Sequence, residues 1–188
     1  MKSLVRSCGK NPPPGTTTTV YFTFLSELTG WPLTKAENAG QAQGDTKVLD
    51  QPFDFANAGQ NLGYWRELEI LVDTGGIIDT LEGEIGGQST INRANIFVVN
   101  DGAAEREFAD QVVANQGCYV FMFRTKSKRH IVLGDPDNGV YVESLEGGTG
   151  TVPGDRVGFA YTLYCNSGFT AMLYDADTHG IDLTPNPS

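Results

Sequence analysis

Apolar and polar residues alternate with a period of two along much of this chain, which is the mark of half-buried strands. From Val20 to Leu25, Val20, Phe22 and Phe24 share one face and Tyr21, Thr23 and Leu25 the other. Residues 64–73, YWRELEILVD, set Leu68, Ile70 and Val72 on one side and Glu67, Glu69 and Asp73 on the other, with Trp65 and Leu71. A one-residue slip would bury three carboxylates, so charge decides which side meets the core. Gly75-Gly76 reads as a turn. Ile77 to Ile85 follows as a strand with Glu82 and Glu84 on one face beside Ile78 and Thr80. Residues 64–85 are therefore expected to form a hairpin with one acidic face. Gly86-Gly87 ends it, and Ile91 to Val99 supplies the next strand. Further strands are predicted at 119–125, 130–133, 140–143, 156–165 and 169–174, separated by Gly-, Asp-, Asn- and Ser-containing turns.

One segment changes period. Ala104, Phe108 and Val112 recur at i, i+4 and i+8 with Ala109 and Val113 beside them, predicting a helix near 103–116. Asp101 is placed to cap it, Glu105 and Glu107 lie near its positive end, and Gly117 suits its C-terminal exit. Two segments show neither period. Residues 9–19 are rich in Pro and Thr, and residues 35–61 are polar and small, with Phe53 and Phe55 as an anchor at the far end. The polar segment is expected to be an inter-subunit loop or a disordered insert. The organisation that follows is an N-terminal arm (1–19), a single domain (20–175) and a C-terminal tail (176–188). The predicted fold class is mainly β: a rolled antiparallel β-sandwich or barrel with one packed α-helix over an open side, a long polar loop and extended termini.

Composition narrows the function classes. The chain has 188 residues, 23 of them Gly and 9 Pro, and its 13 Lys+Arg against 23 Asp+Glu give a net charge of −10. Such an excess of carboxylates opposes gripping DNA, RNA or an anionic bilayer. No run approaches the ~20 apolar residues of a membrane span, so no membrane anchor is expected. The start, MKSLVRSCGK, carries only Leu4-Val5 as an apolar stretch, too short for a secretory signal. The expected site of synthesis and assembly is therefore the cytoplasm.

Candidate chemistry is sparse. Cys8, Cys118 and Cys165 lack metal-ligand spacing; Cys118 and Cys165 adjoin apolar runs and read as buried thiols, Cys8 as part of an exposed arm. His130 and His179 have no Ser or Cys nucleophile near them in sequence. Asp135, Asp137 and Glu146 match positions 1, 3 and 12 of a calcium loop, but Val140 stands where that loop needs Gly, so a turn begun by Asp135-Pro136 is the reading. GGTGTVPGD (147–155) lacks the ending of a phosphate loop and reads as a hairpin connection. The carboxylate pairs Glu67/Glu69 and Glu82/Glu84 lie on strand faces, with no sign of a sugar groove for glycosidase chemistry. Lys126, Lys128 and Arg129 form the one basic cluster, a candidate inter-subunit patch for an acidic neighbouring copy. No enzyme, cofactor or metal is expected.

The stretches DTGGIIDTLEGEIGGQSTINRANIFVVNDG (73–102) and HIVLGDPDNGVYVESLEGGTGTVPGDRVGFAYTLYC (130–165) resemble tube-type structural proteins of tailed bacteriophages, in particular phages of Bacteroides-like hosts. The likeness covers about two-thirds of the chain and lies in turn and strand patterns. It implies a virion protein without catalytic residues, assembled in the host cytoplasm. Its copies would close into homo-oligomeric rings that stack as a tail tube. Other tail or neck proteins would be partners, and DNA only passing cargo. Six copies would carry roughly 60 negative charges, and like charge keeps a bore from holding the genome. The lining is expected from Glu67, Glu69, Asp73, Glu82 and Glu84. Alternatives are a head–tail connector or tail-terminator, a capsid decoration protein, or a β-sandwich module binding carbohydrate or protein through Trp31, Tyr64 and Trp65.

Overall fold

The computed structural model describes residues 15–40, 46–56, 63–71, 74–85, 87–99, 102–149 and 155–183. Among these residues twelve strands and three short or medium α-helices follow in chain order. The N-terminal part holds β1 (Thr16–Phe24), β2 (Leu28–Gly30), α1 (Lys35–Asn38), β3 (Val48–Leu49), β4 (Asp54–Phe55) and β5 (Arg66–Glu69). Then come β6 (Gly76–Glu82), β7 (Ser89–Val99), α2 (Ala103–Ala114), β8 (Tyr119–Thr125) and β9 (His130–Leu133). The chain ends with β10 (Tyr141–Gly148), β11 (Gly158–Asn166), β12 (Met172–Tyr174) and α3 (Ala176–His179).

The fold is mainly β, as predicted. One sheet has six strands in the order β3-β12-β9-β8-β1-β5, a second has four in the order β10-β11-β7-β6, and β2 pairs with β4. All pairings are antiparallel except β3 with β12. The two large sheets pack face to face. Val20, Ile70, Phe121 and Phe123 from one meet Ala94, Ile96, Tyr161 and Leu163 from the other. The helix α2 packs Ala109 and Val112 into the same core, with Phe108 against Phe22 and Tyr161. Val113, expected on this stripe, is 44% exposed. The expected cap Asp101 lies outside the described residues. Among those residues no hydrogen-bonded ladder closes a barrel.

Alternation on β8 gives the six-stranded sheet a second apolar face. Val120 and Met122 point away from the main core and join Leu49, Phe53, Trp65 and Tyr174. The described parts of the 35–61 segment form this cover. Thr34 caps α1 in a capping box with Glu37, Ala36 is buried, and Phe53 anchors as predicted. This part of the segment is therefore packed within its own chain. The strand expected from Val20 begins at Thr16. The C-terminal residues expected to be a tail are docked as far as Asp182: the Trp65 N–H donates to the Asp182 carbonyl at 2.8 Å, the Tyr174 hydroxyl donates to the Gly180 carbonyl, and Ile181 packs on the second cluster.

The 64–85 hairpin does not form. β5 pairs with β1 at the edge of the six-stranded sheet, whereas β6 pairs with β7 at the edge of the other. Between them the chain crosses from sheet to sheet, and the Leu71 N–H donates to the Phe97 carbonyl on the way. The Gly75 position is needed for close approach: a Cβ there would lie 1.7 Å from Thr16 Oγ1. The glycine pair marks a crossing, and the true hairpin turn is at 83–88.

Candidate functional site

The structure separates the predicted acidic set. On β5, Leu68 and Ile70 turn to the core, and Glu67 and Glu69 are exposed on the opposite face, as the alternation required. Glu67 stands opposite Tyr21. Burial, then the charge of Glu67, raises the Tyr21 pKa. Glu82 ends β6 on the outer face of the other sheet, and Glu84 lies in the turn beyond, where its carbonyl accepts from the Gly87 N–H. Asp73 lies outside the described residues. Glu67 and Glu69 therefore face one side of the molecule and Glu82 the other, so these residues do not form one surface. Gly75-Gly76 obeyed the spacing of a turn while serving the sheet crossing.

A different surface is continuous. Ala94, Ile96 and Val98 of β7 are buried, so Arg93, Asn95 and Phe97 occupy the outer face of the four-stranded sheet. One row across this face runs Tyr141, Tyr164, Arg93, Ile78. The two tyrosine rings stack at 5.4 Å. Arg93 donates to Glu143 through Nε at 2.9 Å and Nη2 at 3.1 Å, and to Glu82 and Thr80 through Nη1. The Glu143 and Glu82 carboxylates hold the guanidinium pKa above its usual range, and Arg93 in turn holds the Glu82 carboxyl below its usual range. Ser144, Glu146, Asn95 and Thr162 complete a mostly polar field. The turn after α2 reaches its β10 edge, where Gly117 lies against the Tyr141 ring and the Val142 N–H donates to Gln116 Oε1, and among the described residues its edge strands β6 and β10 each pair with a strand on one side only.

Arg93, Glu143 and Glu146 were not among the sequence-predicted site residues. The signal was present in INRANIFVV: Arg93 and Asn95 fall off-phase from Ala94, Ile96 and Val98, which puts a cation on the outer face of a central strand.

The basic cluster lies in the β8–β9 turn. Lys128 takes φ +63° there, and the Arg129 N–H donates to Thr125 Oγ1. Lys128 and Arg129 line a cavity of about 200 Å³ together with Asp175 and Asp177 of the same chain. Opposite charge is thus available within the chain as well as from any neighbour.

The other candidates are structural. Trp65 is 1% exposed, which removes the centre of the proposed aromatic platform. Trp31 packs edge-on against Phe53, and the Tyr64 ring lies under the Arg66 guanidinium at 4.3 Å. Asp135 Oδ1 accepts from the N–H groups of Asp137 and Asn138, as the turn reading required. No group of His, Cys, Asp and Glu among the described residues is arranged to hold a metal ion. His130 is buried, and desolvation lowers its pKa. His179 lies on α3 with Nε2 3.6 Å from Asp50 Oδ1. Cys165 is buried as expected, its thiol pushed up to about 12, but Cys118 is exposed. Among the described residues no nucleophile–base pair is assembled.

Compared with known proteins, the chain matches no family model, no curated protein and no solved structure.

Proposed function

We propose that this chain is a non-enzymatic virion structural protein of the tail-tube type, whose copies join through the four-stranded sheet into a ring around a DNA-conducting bore. The carrying observation is that sheet's open outer face combined with its two half-paired edges. With four antiparallel strands, β10 and β6 run in opposite directions. Copies related by a ring axis would therefore set β6 of one beside β10 of the next with the alternation intact. Closure would remove both edges, which are otherwise sites of uncontrolled pairing. The broader six-stranded layer and its cover need the larger circumference, so the uncovered face turns inward. Its named charges are Glu82, Glu143, Glu146 and Arg93, an acidic excess set among Asn, Ser and Thr, which suits a surface past which DNA slides. In this arrangement Glu67 and Glu69 belong to the outside of the ring, and the bore takes only Glu82 from the lining first expected.

Negative-stain imaging of the purified full-length chain tests the reading. Tubes are expected. Single rings that do not stack would favour the connector or terminator role, and a chain that stays monomeric at high concentration would overturn ring formation.

A further inference from the structure

We infer that a groove beside β5 receives residues 2–6 of a second copy as an added strand, a contact that rests on the reading that copies associate. The groove has a volume of about 710 Å³ and lies between β5, the end of β7 and the start of α2. Phe22, Leu68, Val98 and Phe108 form its apolar floor, and Glu67 and Glu69 stand on its rim. β5 pairs with β1 on one side; on the other edge the Trp65 N–H donates to the Asp182 carbonyl just before the strand and the Leu71 N–H to the Phe97 carbonyl just past it, with Glu67 and Glu69 between these two contacts. An apolar trough along a strand edge is the usual receptor for an extended peptide.

The occupant is named by charge and pattern. Of the 13 Lys+Arg in the chain, three (Lys2, Arg6 and Lys10) fall in residues 1–14, and none of the 23 Asp+Glu does. A stretch with cations and no carboxylate thus precedes the first strand of an acidic protein. That segment joins the domain at Gly15, three residues before Thr18, which lines the groove. In a strand added to β5, residues two apart share a face. Lys2, Leu4 and Arg6 would share the face of Glu67 and Glu69, with one cation directly opposite a carboxylate and the other on a diagonal, and Val5 would point with Leu68 to the floor. Cross-strand pairs of opposite charge then fix the register. Pro12-Pro13-Pro14 favours an extended spacer of about 3.1 Å per residue, which suits reaching a neighbour.

The test uses a fluorescent peptide of residues 1–11 with Ser in place of Cys8. It is titrated with full-length protein carrying Val5→Asp and Arg6→Glu, so that the protein's own segment does not compete. Saturable binding is expected, weakened by added salt and by about tenfold or more when Glu67→Lys and Glu69→Lys are introduced. Glu67→Gln with Glu69→Gln gives a milder loss and guards against misfolding of the charge-reversed protein. Absence of saturable binding, or binding indifferent to both pairs of substitutions, overturns the inference. Monomeric wild-type protein should bind the peptide as well as the arm variant does; exclusion from the wild type alone would show the groove filled by its own chain and overturn the second-copy assignment. Rings without peptide capture overturn this inference and leave the ring reading intact. Peptide capture by a protein that forms no rings upholds the groove contact and removes the ring reading alone.

Discussion

Trp65 packs edge-on against Phe53 at 5.1 Å and Phe55 at 6.0 Å, closing the cover over the six-stranded sheet. Trp65→Ala should cost about 3–5 kcal/mol, read as a lower urea midpoint. A ligand platform would instead lose binding at unchanged stability. His130 gives a pH dependence with a definite sign. Desolvation lowers its folded pKa, so the unfolded chain binds the proton more readily. Its contribution is fully present above the ordinary imidazole value of about 6.5 and is lost as pH falls through the folded value. Urea midpoints should therefore fall faster below that point in the wild type than in His130→Phe. Thiol labelling of the folded chain should modify Cys118 and spare Cys165, which is buried with its Sγ donating to the Asn138 carbonyl at 3.3 Å; Cys165 should react only on unfolding. At this scale, sequence reading succeeded where chemistry forbids the alternative, as with Glu67 and Glu69 against Leu68 and Ile70. It failed for Cys118 and Val113, because adjacency to an apolar run does not say which side of a turn or helix is covered.

Gly75 and β6 carry the lesson at the level of elements. Strand existence was legible from alternation and turn residues. Partner choice was not, because a glycine pair marks a reversal and a sheet crossing alike, and only the contact with Thr16 separates them. Gly75→Ala should destabilise the fold by about 1–3 kcal/mol, measured by denaturation, since the added methyl meets Thr16 at the crossing. The packing of the described parts of the 35–61 segment was not legible for a related reason. Its few large apolar residues are enough because the sheet beneath supplies Val120, Met122 and Trp65. Edge strand β6 exposes Ile78 at 54% and Leu81 at 63%. Ile78→Lys with Leu81→Lys should leave stability within about 0.5 kcal/mol and abolish assembly, because edge lysines block strand pairing. Sedimentation velocity and denaturation of one preparation report both.

At the scale of the whole molecule, the fold sorts charge into separate places. The open sheet face keeps Glu82 and Glu143 on Arg93 with Glu146 farther along it, the β5 rim keeps two carboxylates, and the N-terminal stretch holds cations alone. A net charge of −10 per copy makes assembly sensitive to ionic strength, since copies must approach against mutual repulsion. Net charge and the mainly β class were legible from the letters; the allocation of carboxylates between two sheet faces depended on tertiary pairing and was not. The most direct test of the ring is a cryo-electron microscopy map of the assembled full-length protein. It should show β6 of each copy beside β10 of the next, with Glu82, Arg93, Glu143 and Glu146 facing the bore. A map in which that face is buried against a partner or turned to the exterior, or in which β6 and β10 are apart, would contradict it.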